Sequence, residues 1–335
     1  SHMKKILVIK HDKIGDFVLT WPALYLLRKA MPEATIDVFV APVVKSFAEA
    51  CPYVDNTIID SKDDTDIAEQ IAKQNYDAVI ILLSEFRIYK MLSKSNIPYK
   101  LVPKHNWYQY LYKHRASNEY LNSEGCWRGA CMLVEHFLTH HGYAIPKLPD
   151  RFWDMSDRKE YWQQHYQKLT NEKLIFIHPG TGGSSGCVPV EKLVQLMINV
   201  DQLTQSPCHF ILTFNGSELE LAKEIQTLLA NTSIKISLAK PLDRLIDFSE
   251  SLVAADMFIA GSTGPLHIAG LHNVPTVGFY AGRRSTPHIR WGTLSEPSKR
   301  FAYTPPVGKR TGRNMALINF DQVSNEITDF LNKQS

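Results

Sequence analysis

Ala255-Asp256-Met257-Phe258-Ile259-Ala260-Gly261-Ser262-Thr263-Gly264-Pro265-Leu266-His267-Ile268-Ala269-Gly270-Leu271-His272-Asn273-Val274-Pro275-Thr276-Val277-Gly278 reads as strand, tight turn, helix, loop and strand. The apolar run Met257 to Ala260 ends in Gly261-Ser262-Thr263-Gly264-Pro265. Apolar residues then recur at helical spacing (Leu266, Ile268, Ala269, Leu271) until Asn273 and Pro275 stop them. The turn residues are small, so backbone N–H groups can approach a ligand, and Pro265 suits a first helical turn, where no N–H is needed. Free N–H groups and the helix dipole favour an anion at such a start, typically by about 0.3–1 kcal/mol. From this stretch alone, a capped crossover helix with no ligand fits as well as a phosphate site.

Working outward, the same alternation fills the second half. Strands are expected at 174–177, 209–214, 234–237 and 276–280, and helices at 191–202, 218–230, 242–254 and 322–331. The first half alternates too, with strands at 6–9, 35–40, 57–59 and 78–83, one helix from 17 to about 29 and another at 63–74. The continuous apolar run Ala78–Leu83 suits the buried middle of a parallel sheet. Strand-helix alternation implies α/β layers with right-handed crossovers and ligands at the carboxyl ends of the strands. A chain of 335 residues exceeds one core, so two domains are expected. They are placed at 1–160 and 172–315, joined through the polar, aromatic stretch 146–173, which brackets a helix at 159–169. A last helix within 318–335 is expected to pack back on the first domain.

Composition is that of an ordinary globular protein. With 37 Lys+Arg against 34 Asp+Glu, the net charge of +3 gives no argument for nucleic acid. The five cysteines (Cys51, Cys126, Cys131, Cys187, Cys208) have no Cys-x-x-Cys or zinc-ligand spacing, which fits reduced thiols in a cytoplasm, with no disulfide and no structural zinc. Ser1-His2-Met3 looks like an expression scar, followed by a strand and not by a secretory signal. No apolar run is long enough to span a bilayer, so any membrane contact is expected to be peripheral. The most lopsided stretch is Phe86–Arg115, with seven Lys/Arg, two His and no acid, interleaved with Tyr89, Tyr99, Trp107, Tyr108, Tyr110 and Tyr112. It reads either as a surface for an anionic, ring-containing partner such as a phosphorylated sugar, or as a solvated loop over packed tyrosines.

Three strand-ending turns can carry chemistry. Lys13-Ile14-Gly15-Asp16 puts a carboxylate at a helix start, where it is either a base or a helix cap. His178-Pro179-Gly180-Thr181-Gly182-Gly183-Ser184-Ser185-Gly186 and Gly261-Ser262-Thr263-Gly264-Pro265 are anion-friendly loops that match a diphosphate. No Gly-x-Gly-x-x-Gly follows the first strand and no Gly-x-x-x-x-Gly-Lys-Ser/Thr occurs, which argues against a dinucleotide-dependent dehydrogenase and a P-loop enzyme. Asp64-Thr65-Asp66 looks like a metal clamp but sits in a helix's first turn, where capping explains it better.

Lys-Ile-Gly-Asp after the first strand, His-Pro-Gly after the first strand of the second half, and Ser-Thr-Gly-Pro-Leu-His-Ile-Ala-Gly near the end, in that order, resemble the bacterial lipopolysaccharide heptosyltransferases of glycosyltransferase family 9. Phe214-Asn215-Gly216-Ser217-Glu218 resembles the family's strand-glycine-acid segment. The resemblance implies a GT-B fold of two facing Rossmann-like domains, with acceptor on the first and nucleotide sugar on the second. It implies an ADP-heptose co-substrate, no cofactor, no metal and inversion at the transferred sugar, with Asp16 as base. Donor contacts are expected from Thr181, Gly182, Gly183, Ser184, Ser185, Ser262, Thr263, Gly264, Pro265 and His267, with Glu218 near the donor ribose. Acceptor contacts are expected from Lys13, Arg87, Lys90, Lys94, Lys104 and Trp107, for an anionic lipid-linked core oligosaccharide at the inner face of the cytoplasmic membrane.

Two positions depart from the family. Ser262 stands where an Asp is usual, and Gly186-Cys187-Val188-Pro189 replaces a Lys-x-Trp-Pro stretch. The positive charge for the donor phosphates is then expected from Arg283 and Arg284, with Lys192 a weaker candidate. The alternatives are a family 9 transferase using a different nucleotide sugar, a non-catalytic nucleotide-binding protein of the same fold, and a sugar-nucleotide epimerase.

Overall fold

Segments of three to six residues, most apolar in the central strands of each sheet, supply the strands, and largely amphipathic segments between them supply the covering helices. The structure, a computed structural model, describes residues 3–104, 107–120, 125–180, 187–282 and 292–334. The chain divides into two units, Ser1–Trp153 and Asp154–Ser335.

The first unit runs β1 (Lys5–Ile9), α1 (Ile14–Val18), α2 (Trp21–Ala30), β2 (Thr35–Val40), α3 (Lys45–Ala50), β3 (Asn56–Ile59), α4 (Asp64–Lys73), β4 (Ala78–Ile81), α5 (Phe86–Leu92), β5 (Tyr99–Pro103), β6 (His114–Ala116) and α6 (Trp127–His140). Its parallel sheet has the order β3-β2-β1-β4-β5-β6, with Ile9 of β1 level with Ile81 of β4. β1 and β4 are buried along almost their whole length, as expected for central strands. Burying each such Ile, Leu or Val contributes roughly 1.5–3 kcal/mol.

The second unit runs α7 (Lys159–His165), β7 (Lys173–His178), α8 (Val190–Leu203), β8 (Cys208–Leu212), α9 (Leu219–Leu228), β9 (Lys235–Leu238), α10 (Leu245–Ser251), β10 (Met257–Gly261), α11 (Gly264–Leu271), β11 (Thr276–Phe279), β12 (Arg300–Tyr303) and α12 (Phe320–Lys333). The sheet is again parallel, in the order β9-β8-β7-β10-β11-β12. Each unit therefore repeats the Rossmann strand order, in which the chain reverses direction across the sheet between its first and fourth strands. Those reversal points lie between β1 and β4 and between β7 and β10.

The strand-turn-helix-strand order read over 255–278 holds, with element ends within a residue of those expected for the two strands. α11 is apolar on nearly every side, with Leu266 through Leu271 all buried, so packing and not amphipathicity holds it in place. Other expectations need correction. The single helix expected from 17 to 29 is two, because Pro22 belongs in the first turn of a new helix and Thr20 turns its hydroxyl back to the Asp16 carbonyl at 3.1 Å. Stretch 86–115 is no loop. It holds α5, β5 and β6, and buries Ile88, Met91, Leu92, Leu101, Val102, Tyr99 and Tyr112, which its high charge had concealed.

One compact unit ends at Trp153 and the other begins at Asp154. Phe152 and Trp153 are buried in the first unit, Trp153 against Trp21 at 5.6 Å. Trp162 donates to Glu250 at 2.6 Å and Tyr166 bonds Ser251 at 2.7 Å, so α7 belongs to the second unit. The last helix packs on α8 of its own unit. Phe320, Val323, Ile327 and Leu331 of α12 join Leu196, Met197 and Val200 of α8 in one core. Asn332 accepts from the Gln205 amide at 2.8 Å and donates to the Leu203 carbonyl at 3.1 Å, pinning the helix end. Among the described residues, no helix is long and apolar enough to cross a membrane.

Candidate active site

In a parallel open sheet, ligands bind beyond the carboxyl ends of the strands where the strand order reverses. In the first unit that point is flanked by Lys10–Lys13 after β1 and Leu82–Glu85 after β4. His11 is buried, and its Nε2 lies on the Glu85 carboxylate, joining the two loops. Lys10 Nζ reaches Asp12 at 3.1 Å. α1 starts here because Phe17 and Val18 bury themselves beneath it. Asp16 is its third residue, half-buried, while Lys13 and not Asp16 occupies the capping position. Burial, followed by the neighbouring Asp12 carboxylate, pushes the Asp16 carboxyl above its ordinary range; the Lys10 and Lys13 charges and the Lys13 amide only partly oppose this. A carboxylate so raised is a stronger proton acceptor than one in water.

In the second unit the reversal point is flanked by the turns after β7 and β10, both singled out in the sequence. His178 ends β7 buried, its Nδ1 bonded to Thr213 at 2.8 Å and its Nε2 facing the Glu218 carboxylate at 3.2 Å. Burial holds the imidazole below its ordinary value although Glu218 pulls the other way. Glu218 also accepts from the Asn215 amide at 3.1 Å and completes a capping box at the entry to α9. Gly180 sits directly against it: a Cβ there would lie 1.6 Å from Glu218 Oε2. The His-Pro-Gly and Asn-Gly-Ser-Glu segments thus interlock, which their separate positions in the chain do not disclose.

After β10, Thr263 is the N-cap of α11 but makes no capping bond, and Pro265 lies in the first turn. Thr263 Oγ1 and His267 Nδ1 are buried and make no hydrogen bond. The two residues are four apart and so share one face of the helix start. Burial lowers the His267 pKa to about 4, leaving a neutral imidazole at neutral pH. A buried hydroxyl without a partner, beside the unpaired N–H groups of a helix start, is suited to receive an anion.

Ser262, Gly264 and Pro265 lie in this same turn, and Glu218 stands after β8, against the turn that follows β7. Thr181, Gly182, Gly183, Ser184, Ser185, Arg283, Arg284 and the Trp107 side chain lie outside the described residues. Lys192 is exposed near the start of α8. Of the cations expected to meet an acceptor, Lys13, Lys90, Lys94 and Lys104 are exposed. Arg87 is not available in the same way. Its guanidinium holds both oxygens of Asp60 and donates to Asp64 at 2.8 Å. Burial disfavours the Asp60 carboxylate, but Arg87 and Lys62 outweigh that and hold it well below the usual range. The acids that neutralise Arg87 come from another part of the chain, so charge counting along 86–115 missed them. Glu85 and His11 were also missed, since their pairing joins loops 74 residues apart. Among the described residues, no group of His, Cys, Asp and Glu is arranged to hold a metal ion.

Two Rossmann-type units in tandem give the GT-B fold class, with a half-buried carboxylate at the reversal point of one unit and an anion-receptive helix start at that of the other. Residues 65–305 match glycosyltransferase family 9 (heptosyltransferase), and the chain belongs to that family. It is 35% identical to a candidate glycosyltransferase of Haemophilus influenzae, over 98% of this chain and 97% of that one. It is 24% identical to lipopolysaccharide heptosyltransferase 1 of Campylobacter coli, with 85% of each chain covered. Among solved structures, its fold is similar to that of the Escherichia coli ADP-heptose lipopolysaccharide heptosyltransferase II, with a TM-score of 0.76 at 17% identity, covering 98% of this chain and 99% of that one.

Proposed function

We propose that this glycosyltransferase moves heptose from ADP-heptose to the inner core of lipopolysaccharide or lipooligosaccharide with inversion and without a metal ion. The observation that carries this reading is that each unit has one half of the chemistry at its own reversal point: Asp16 with a raised pKa in the first, and the unpartnered Thr263 hydroxyl at the start of α11 in the second. The names of the Campylobacter coli and Escherichia coli proteins support the choice of sugar and acceptor.

In this mechanism the proton of an acceptor hydroxyl passes to Asp16. The hydroxyl oxygen bonds the anomeric carbon from the face opposite the leaving group. The bond from that carbon to the β-phosphate oxygen breaks, and its electron pair departs with ADP. Thr263 and the amides of α11 stabilise the charge that develops on the diphosphate, and Thr181 to Ser185, Arg283 and Arg284 are assigned to the same task. The acceptor is an anionic lipid-linked oligosaccharide at the inner membrane face.

The test is turnover of ADP-heptose against other nucleotide sugars, with and without truncated lipopolysaccharide. Turnover that requires both ADP-heptose and the acceptor is the expected result, and preference for another donor overturns the choice of sugar. Ser262, at a position where the family resemblance calls for a carboxylate, favours a hexose or N-acetylhexosamine as the second reading. EDTA is expected to leave turnover intact, and inhibition that Mg²⁺ reverses would sink the metal-free account. The acidic limb of the kcat/KM profile should report Asp16. Asp12→Asn removes a like charge, lowers the Asp16 pKa, and is expected to move that limb to lower pH. A limb that stays in place would show that another group titrates.

A further inference from the structure

The exposed side of α5 and the turn that follows β5 form one surface. α5 buries Ile88, Met91 and Leu92, and so leaves Phe86 (42% exposed) and Lys90 outside, with Lys90 Nζ 5.5 Å from the Phe86 ring. A 3₁₀ turn at Trp107–Leu111 is fastened beside it. The Tyr108 hydroxyl donates to the Ser84 carbonyl at 2.8 Å, and the Tyr108 ring is 6.4 Å from Phe86. Tyr112 is buried and packs edge-on against Tyr89 at 5.4 Å. With those two tyrosines anchoring the turn, Tyr110 and Leu111 stand out at 76% and 48% exposure.

The surroundings of these apolar tips are basic. Lys113, two residues beyond Leu111, is exposed, and the Arg115 guanidinium lies 4.6 Å over the Tyr110 ring. No acid occurs between residues 86 and 115. Three acids that flank the start of α5 or its neighbour α4 are engaged elsewhere: Glu85 with His11, and Asp60 and Asp64 with Arg87. Separate apolar tips interleaved with long cationic side chains do not make a continuous dry interface of the kind a folded protein partner requires. They match a bilayer interface, where a tyrosine and a leucine enter the headgroup layer while lysines and arginines meet lipid phosphates.

We propose that Phe86, Tyr110 and Leu111, with Lys90, Lys113 and Arg115 around them, dock the protein on an anionic lipid surface. This deepens the reading that the acceptor is lipid-linked, and it is tested without any sugar, so the two stand or fall separately.

The test is cosedimentation of the full chain with vesicles of phosphatidylcholine alone and of phosphatidylcholine mixed with phosphatidylglycerol, at low and high salt. Binding at least about tenfold stronger to the anionic vesicles, and weakened by salt, is expected. The double variant Tyr110→Ser/Leu111→Ser and the double variant Lys90→Ala/Lys113→Ala should each lose most of it. Removing two exposed lysines of the second unit, Lys223→Ala/Lys333→Ala, changes net charge equally and should leave it intact. Failure to bind either vesicle, indifference to Tyr110 and Leu111, or equal loss in the Lys223/Lys333 control would each overturn the proposal. All substituted side chains are exposed, so the variants are expected to remain folded, and thermal melts check this.

Discussion

Asp16→Asn is expected to lower turnover by at least about a hundredfold while donor affinity stays as it was, since a positioned base contributes about 10²–10⁴ to rate. The substitution keeps the shape of the side chain and removes its ability to take a proton. It leaves α1 in place, because that helix is held by the burial of Phe17 and Val18 and its capping position belongs to Lys13. A loss of rate through unfolding is therefore separable from a loss through chemistry: the variant's thermal midpoint should stay close to that of the parent. Donor affinity, measured by titration with ADP, reads the second unit and should not respond. If Asn at this position turns over at the parent rate, Asp16 is only a residue of the first turn of α1, and the base must be sought elsewhere.

Gly180→Ala is expected to destabilise the protein by about 1–3 kcal/mol through overpacking. A Cβ at 1.6 Å from Glu218 Oε2 cannot be accommodated unless that carboxylate moves. Movement of Glu218 breaks the capping box at Asn215 and separates the carboxylate from the buried His178. Glu218→Ala alone is expected to cost about 1 kcal/mol for the lost cap, with a further cost because His178 loses a partner while still buried. The informative measurement is the double variant. Removing the Glu218 side chain opens the space that the added methyl group needs, so the two changes should cost less together than their sum, with a coupling of about 0.5–3 kcal/mol. Denaturant titrations of the four proteins measure this. Additivity within about 0.5 kcal/mol would mean that the two segments do not interlock.

These two sites differ in how much of them the sequence disclosed. Asp16 was legible because a carboxylate one residue after a glycine, at the end of an apolar run, has few roles: it caps or it reacts. What the run did not disclose is that Asp12 stands close enough to raise its pKa, or that Lys13 occupies the capping position. Gly180 was legible as a small residue in a small-residue loop, and its actual constraint comes from a side chain far along the chain, that of Glu218. Stretch 86–115 misled for the same reason. Its lysines and tyrosines looked like one solvent-facing set, yet Tyr99 and Tyr112 are core, Lys100 is partly buried with its Nζ at 3.3 Å from the Leu92 carbonyl, and Arg87 is held by acids from around α4.

By itself the sequence determined the alternation of strand and helix, the two-domain count, the turns at the carboxyl ends of β1, β7 and β10, and the family. These depend on side-chain periodicity and on glycine, proline and capping chemistry, which act over a few residues. Only the tertiary structure decided the pairing of His11 with Glu85, of Arg87 with Asp60, and of His178 and Gly180 with Glu218. It also decided the seating of α12 on α8 and which aromatics of the basic stretch face outward. A charge or a ring acquires its role from the groups packed against it, and in a parallel sheet those groups come from strands and loops tens of residues apart, brought together by crossovers that local pattern does not record.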